Sequence, residues 1–486
     1  MPAAPSQKNI FKIITVIICL ILFGALLQRD YFIKSLDTRE AIVLTKDREE
    51  SFSGIYFKRD RIGYVKNRLT ADDSGGYRLH QKAYMVLNIL EQNHPVQLSV
   101  NASLDSSMLM KTFDFELSSP FYTMTAKGKV DGSTVNFILA TGKEEIRDSI
   151  RLSEPPFLST NRRRYLLEQN LAPGEKIKIP YFDPISLSGK DTVLEYKGYE
   201  KILIKDRIHR LHHFIESFSG MRINSWLDES GKVIKEESPA GFVFLAEPEF
   251  KATDIKKDGK EILSSVSVKA KGKLPKDYAN APKLSYRLSF PAEAEVSLAE
   301  GRQDFVDNIL TIIRENIPAE PTSACIGPEE ELASTPYVQS GNTKISNLVN
   351  SIINNDMAAM QKARALSGWV FKNLEKRPVL GIPDALTTLA TMRGDCNEHA
   401  SLFAAMARNA GIPTRIAAGV TFHEGAFYYH AWNEVCINDN WLTLDTTKDQ
   451  IPADVTHIKF VEGETSEQIK IGALLGRLQI EVLKDQ

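Results

Sequence analysis

Between about residue 52 and residue 300 the chain alternates apolar and polar residues in short runs, and turn signals separate the runs. Gly54–Phe57, Ala83–Leu90, Val96–Val100, Thr112–Leu117 and Val135–Leu139 are of this kind. Ser74-Gly75-Gly76, Asp131-Gly132, Ser188-Gly189, Gly231 after Glu229-Ser230, and Asp258-Gly259 punctuate them. A period of two sends alternate side chains to opposite faces, and closely spaced turns join neighbours in antiparallel order. With one face of each strand polar, the pattern predicts a curved antiparallel sheet or half-barrel. The hairpins resemble one another without forming a clean internal repeat. Tyr165 to Gln169 reads as a short helix.

This half of the chain carries little readable chemistry. His209, His212 and His213 stand together, but no carboxylate or cysteine lies at ligand spacing, so they read as a surface cluster. Trp226 in its strand reads as a packing residue. Arg162, Arg163 and Arg164 form the densest basic run and read as solvated surface. Sixty Lys plus Arg against 62 Asp plus Glu leave a net charge of −2, which gives no support to a nucleic-acid partner. Four cysteines in 486 residues, with no CxxC pair, exclude a disulfide-built scaffold and argue against a cysteine zinc site.

The N-terminus constrains location. Ile13 to Leu27 is apolar except for Thr15, with Lys8 and Lys12 before it and Arg29 after it. With Ile10 and Phe11 the span reaches about 27 Å, near the ~30 Å hydrocarbon core. The residues after Gly24 make a poor cleavage site. The segment therefore reads as an uncleaved transmembrane signal anchor in preference to a cleaved signal peptide. The soluble body is expected outside the cytoplasm, on the periplasmic side of the inner membrane. Cys19 is apolar filler there. Cys325 and Cys436 could pair if the body is exported, and otherwise both remain thiols.

The linker-like segment 316–341, with Pro318, Pro321, Gly327, Pro328 and Pro336, precedes a helical region. Ile345, Leu348, Val349, Ile352 and Ile353 recur at helical spacing, as do Ala363, Leu366, Trp369, Val370 and Leu374. From Thr388 to Thr447 the residues become specific. Asp395 can cap a helix, and Glu398 completes a capping box. Cys396 then occupies the first helical position, where free N–H groups and the dipole favour a thiolate while Asp395 opposes it. Gly411 and Pro413 end the helix. Two strands follow, around 427–437 and 441–445, with Asn438 to Asn440 as their turn. They bring His430 and Asp445 onto adjacent strands. A cysteine, a histidine and an aspartate so placed suit a nucleophile, its proton acceptor and the acid that orients it. Trp432 and Trp441 are candidate aromatic walls for a substrate. His423, on a loop, reads as surface in preference to a substrate contact.

These residues resemble the transglutaminase-like superfamily, within the papain-like cysteine enzymes. The resemblance rests on Gly394 to Ala400 (GDCNEHA), Arg408, Gly411 to Arg415 (GIPTR), Gly419, His430 to Glu434 (HAWNE), Trp441 and Asp445, and covers roughly 335–480. Thr446 departs from the proline found in many members. The resemblance implies an α+β domain with helices packed on an antiparallel sheet. It implies Cys396 as nucleophile, His430 as general base and acid, and Asp445 as orienting acid. The oxyanion would be held by the Cys396 N–H and a second donor that the sequence does not identify. A peptide or protein substrate would be attacked at an amide carbonyl, with hydrolysis ranked before crosslinking to an amine; an idle binding module is the third reading. No metal or organic cofactor is implied, and no phosphate loop is present. The expected organisation is a tail (1–9), an anchor (10–28), a linker (29–50), a β-rich domain (51–315), a second linker (316–341) and the transglutaminase-like domain (342–486).

Overall fold

The computed structural model describes residues 34–35 and 49–483, apart from 74, 121, 143, 159–162, 184–187, 205–206, 219, 256–260, 321 and 327–328. The expected tail and anchor lie outside the described residues, as does all but a few residues of the 29–50 linker. Among the described residues no helix is long and apolar enough to cross a membrane.

The protein is a mixed α+β, sheet-rich molecule. One antiparallel meander runs from Glu49–Phe57 to Glu144–Arg151, and a second from Lys176–Asp183 to Phe242–Glu247. They join where Phe242–Glu247 pairs with Glu49–Phe57, giving a 15-stranded sheet among the described residues; Lys34–Ser35 lies parallel to Lys176–Asp183 at its far edge. Alternation is visible in the strand Thr134–Thr141, where Val135, Phe137, Leu139 and Thr141 are buried. The sheet curls on itself. Met124, Val135 and Leu139 of the first meander share one core with Ile177, Leu194, Phe214 and Leu227 of the second. A curved sheet is what the sequence pattern predicts.

The second sheet, 9-stranded among the described residues, differs from expectation at its boundary. Strands Val268–Lys271, Lys283–Ser289, Gln303–Val306 and Ile309–Ile313 fall inside the expected β-rich segment 51–315, yet they pair within the C-terminal sheet. Val268 pairs with Phe427, and Tyr286 with Val482. Alternation shows that such segments are strands, but carries no information about which sheet receives them. The 316–341 segment is likewise no free linker: Tyr337 and Val338 are buried, and Thr322 Oγ1 accepts the Met360 N–H at 2.9 Å. Its prolines prevent regular hydrogen bonding but do not prevent packing.

On the second sheet sit four helices, α1 (Thr343–Ile352), α2 (Ala359–Asn373), α3 (Ala385–Thr391) and α4 (Cys396–Asn409). They pack beside β1 (Thr414–His423), β2 (Ala426–Ile437), β3 (Asn440–Leu444) and β4 (Ile458–Glu462). α4 is buried on nearly every side because the other helices and β2 surround its Ala-rich body. The two sheets also meet. Tyr337 and Ile382 enter the core of the large sheet, and the Tyr122 ring lies where a side chain on Gly381 would have to go.

Candidate active site

The start of α4 is built as its sequence predicts. Asp395 caps it by accepting the Asn397 N–H at 2.9 Å, and Glu398 reaches back to the Asp395 N–H at 2.8 Å. Gly394 is required here, because a Cβ at that position would stand 2.2 Å from Glu398 Cβ. The half-buried Cys396 is the first helical residue and the one free thiol among the described residues.

β2 lies directly against this helix end. Asn433 Nδ2 donates to the Ala400 carbonyl at 3.0 Å, and Cys396 packs against the core cluster that includes Ala431. His430, one residue before Ala431, turns its Nε2 to Asp445 Oδ2 at 2.8 Å. Asp445 follows β3 and is fully buried. Its other oxygen, Oδ1, accepts the N–H groups of Thr447 at 2.7 Å and Lys448 at 3.2 Å. With Nε2 committed to Asp445, Nδ1 is the His430 nitrogen left to exchange a proton. Gly419 stands opposite His430 in the β1–β2 register, and the Ile458 carbonyl would lie 1.9 Å from a Cβ there. That close approach brings β4, and His457 just before it, up to the site.

His457 stands outside the motif residues that carry the resemblance. It is fully buried, and its Nε2 lies 3.1 Å from the same Oδ2 of Asp445. Its Nδ1 faces Asp454 Oδ1 at 3.1 Å and the Asp454 carbonyl at 3.2 Å. Only a histidine standing in an apolar stretch twelve residues after Asp445 could have pointed to it. The ligand atoms of His430, Asp445 and His457 fall within 4.8 Å of one another, a spacing a metal ion could bridge. Here hydrogen bonds from both imidazoles to one carboxylate oxygen account for the cluster.

Electrostatics differ from expectation at Cys396. Burial pushes its thiol well above the ordinary value, and the charges of Asp395, Glu398 and Asp445 add to this. The Ala431 N–H works the other way and does not prevail. The helix start therefore does not leave a standing thiolate. Burial also raises Glu398, with Asp395 beside it, well above the carboxylate range. For Asp445 burial is the largest influence and would raise it, but His430 and His457 outweigh burial and hold it well below that range. His399 donates Nδ1–H to the Asp395 carbonyl at 2.7 Å, and burial lowers its pKa, so it is a packed neutral ring.

The structure thus pairs His430 with Asp445 on neighbouring strands, sets Cys396 at the helix end that β2 packs against, and leaves Trp432, Trp441 and His423 away from that junction. Trp432 is 1% exposed and packs against His430 and His457, so it stands behind the histidine and offers no wall to a substrate. Trp441 lies under the Arg415 guanidinium, 3.9 Å from its ring centre, at the end of β3 remote from Asp445. His423 is exposed at the β1–β2 turn beside Tyr428, seven residues from His430 along the hairpin. One open alternative is decided and one expectation changes. Cys325 and Cys436 form a disulfide with their Cα atoms 5.5 Å apart. Arg163 is buried, not solvated, and pairs with Glu236 at 2.7 Å. A cavity of about 370 Å³ lined by Glu331, Arg408, Arg415, Glu462 and Glu464 contains none of Cys396, His430 and Asp445. Its charges largely pair with one another.

Comparison with known proteins matches the same stretch of the chain. Residues 346–446 match the model of the transglutaminase-like superfamily. An uncharacterised protein of Haemophilus influenzae is 28% identical over 108 residues, which are 21% of this chain and 29% of that protein's length. Among solved structures, a candidate cysteine protease from Cytophaga hutchinsonii is 15% identical. It covers 46% of this chain and 89% of its own, with a TM-score of 0.29. A candidate protease from Parabacteroides distasonis is 9% identical and covers 69% of each chain, with a TM-score of 0.19. A β-barrel-like protein from Brucella abortus covers 42% of this chain and 96% of its own at 11% identity and a TM-score of 0.32. These superpositions are low, and the identification rests on the sequence match. Residues 346–446 of this chain form a transglutaminase-like domain, set within the larger sheet that starts at Val268.

Proposed function

We propose that the protein is a cysteine-dependent acyl-transfer enzyme that hydrolyses amide or peptide bonds. The observation that carries the reading is the junction of α4 and β2. Cys396 opens α4 where β2 packs against it through Asn433 and the Ala400 carbonyl, and His430 of β2 is oriented by Asp445 at 2.8 Å. In the reaction the thiol gives its proton to His430 Nδ1 as the sulfur attacks the carbonyl carbon. The imidazolium, stabilised by Asp445, then protonates the leaving amine. Water, activated by the same ring, releases the acid and restores the thiol. Because Cys396 rests as a thiol, the nucleophile is made at the moment of attack.

We place the enzyme outside the cytoplasm, anchored by residues 10–28. The Cys325–Cys436 bridge supports this, since such bonds persist in oxidising compartments.

The test is alkylation of Cys396 by iodoacetamide, mapped by peptide mass, followed by hydrolysis of a peptide-amide library. At pH 7.5 labelling should fall about 100-fold in His430→Ala, in line with the usual contribution of a general base. A labelled acyl-enzyme should appear in wild type and be absent in Cys396→Ala. Labelling that ignores the His430 change, with no turnover of any amide, would leave an idle binding module as the better description. Turnover only in the presence of an added amine would replace hydrolysis with crosslinking.

A further inference from the structure

Asp445 carries more than its orienting task requires. Oδ2 accepts from both His430 Nε2 and His457 Nε2, and Oδ1 accepts from two backbone N–H groups. A carboxyl accepting four hydrogen bonds has no lone pair to spare for a proton and is ionised. His457 Nε2 must then be a donor. The other nitrogen, Nδ1, faces a carboxylate oxygen and a carbonyl oxygen of Asp454, and both can only accept. Asp454 Oδ1 is already engaged by other donors. It takes the Thr456 N–H at 2.9 Å and the Thr456 hydroxyl at 2.5 Å, and Oδ2 takes Gln450 Nε2 at 3.0 Å. A neutral imidazole has one N–H and would leave one of these contacts as two acceptors facing each other. An imidazolium satisfies both.

We propose that His457 is a positioning residue for the Cys396–His430 pair. It is an imidazolium locked between Asp445 and Asp454 that takes up part of the charge Asp445 would otherwise give to His430. The inference rests on the acyl-transfer reading for its purpose, though not for its geometry. His457 and His430 have ring centres 5.7 Å apart and share one oxygen, so a proton gained by His430 is opposed by the cation behind it. His430 is thereby kept neutral with Nδ1 open, and Cys396 keeps its proton until a substrate carbonyl is in place. For an exported enzyme this guards the thiol against alkylation and oxidation between turnovers.

The other charged groups around His457 fit this account. From the Gln303–Val306 side, Arg302 donates to the carbonyls of Ala453, Asp454 and His457 and is itself paired with Glu315 at 2.9 Å. Tyr286 donates its hydroxyl to the Val455 carbonyl at 2.9 Å and stays neutral, because burial and Asp454 raise it far above neutral pH. From α4, Asp395, Glu398 and the neutral His399 stand on the Cys396 side. Trp432 packs edge-on to His457 at 5.1 Å and adds no charge.

The experiment uses the full chain in detergent, with histidine labelled by ¹⁵N in the ring. The His457 resonances are assigned by their loss in His457→Gln. Both nitrogens should show the N–H signature from pH 6 to pH 8, whereas a lone-pair nitrogen in that range overturns the proposal. In parallel, the pH profile of Cys396 alkylation is measured in His457→Gln and Asp454→Asn. With the cation removed or released, His430 is more easily protonated, so the acidic limb should move to higher pH and the rate at pH 6, relative to the plateau, should fall about tenfold or more. A uniform loss with an unmoved profile, in whichever variant folds, would mean that His457 only packs. Wild-type labelling indifferent to His430 overturns the acyl-transfer reading and with it the positioning role. The charge on His457 is still decided by the nitrogen signature.

Discussion

The two sheets are both strand-rich, but they bury different things. The large curled sheet closes over Phe113, Phe115, Met124, Leu139, Phe182 and Phe214, and its buried charges sit in separate pairs, such as Arg163 with Glu236 and Arg61 with Glu247. Within Glu398–Lys459 the second sheet buries Glu398, His399, Arg408, Glu434, Asp445, Asp454, His457 and Lys459. Buried ionisable groups cost several kcal/mol each unless well paired, so a fold does not gather them for stability. Glu398, His399, Asp445 and His457 among them lie around the start of α4, which is the arrangement the acyl-transfer proposal uses.

That contrast can be broken in steps, from the largest expected effect to the smallest. Asp445→Asn removes the anion that two imidazoles share. It should lower any turnover by about 10⁴-fold. It should also cost about 3–5 kcal/mol locally, because the remaining buried charge loses its partner. Hydrogen exchange should report the loss across 396–460 and leave 110–140 unchanged. An equal loss in both regions would mean that the sheets are one cooperative unit. Reduction of Cys325–Cys436, whose half-cystines are 111 residues apart, should cost about 2–5 kcal/mol, again confined to the second sheet. A chemical-denaturation transition unaffected by reductant would contradict this.

Glu398→Gln tests the electrostatics with a definite sign. The folded carboxyl of Glu398 lies well above its unfolded value. Its contribution is therefore full at pH below the unfolded value of about 4.3 and is lost as pH rises towards the raised folded value. The amide suffers no such loss and can still accept the Asp395 N–H. The variant should melt higher than wild type at pH 8 and no higher at pH 4, and its Cys396 should alkylate faster at pH 8. A stability difference independent of pH would show that Glu398 acts only as a cap. The smallest effect is expected at the seam. Thr141 Oγ1 donates to Asp384 Oδ2 at 3.1 Å, and Asp384 also caps α3 through the Thr387 N–H. Thr141→Val should cost about 1 kcal/mol, and urea denaturation would measure it. A larger cost, reaching Cys396 labelling, would make the seam part of the site.

Legibility in the sequence followed the range of the interactions. Local devices could be read. The capping box at Asp395–Glu398, the stop at Gly411, the hairpin turning at Asn438 to Asn440 and the alternation of Thr134–Thr141 each depend on residues a few positions apart. Cys396, His430 and Asp445 stand out as candidates because helix, strand and turn follow one another within fifty residues. Long-range placements were not. Nothing local says that Val268–Lys271 pairs with β2, that Arg163 finds Glu236, or that His457 turns its ring to Asp445. The direction of the Cys396 shift was missed for the same reason. The dipole is a property of the helix, whereas the burial that outweighs it is a property of the packed site. Trp432 was misassigned because alternation along β2 gives the face but not the depth.

The pairing of Val268–Lys271 with both β2 and Gln479–Val482 has a practical consequence. A fragment trimmed to residues 346–446, or to 342–486, would lack the strands that finish the sheet. The margins of β2 and of Gln479–Val482 would then display rows of unpaired N–H and C=O groups, ready to recruit the same edge of another molecule. Expressed alone, such a piece would be prone to aggregate strand to strand, and silence in an assay would say nothing about Cys396. The smallest piece that retains the whole sheet begins before Val268.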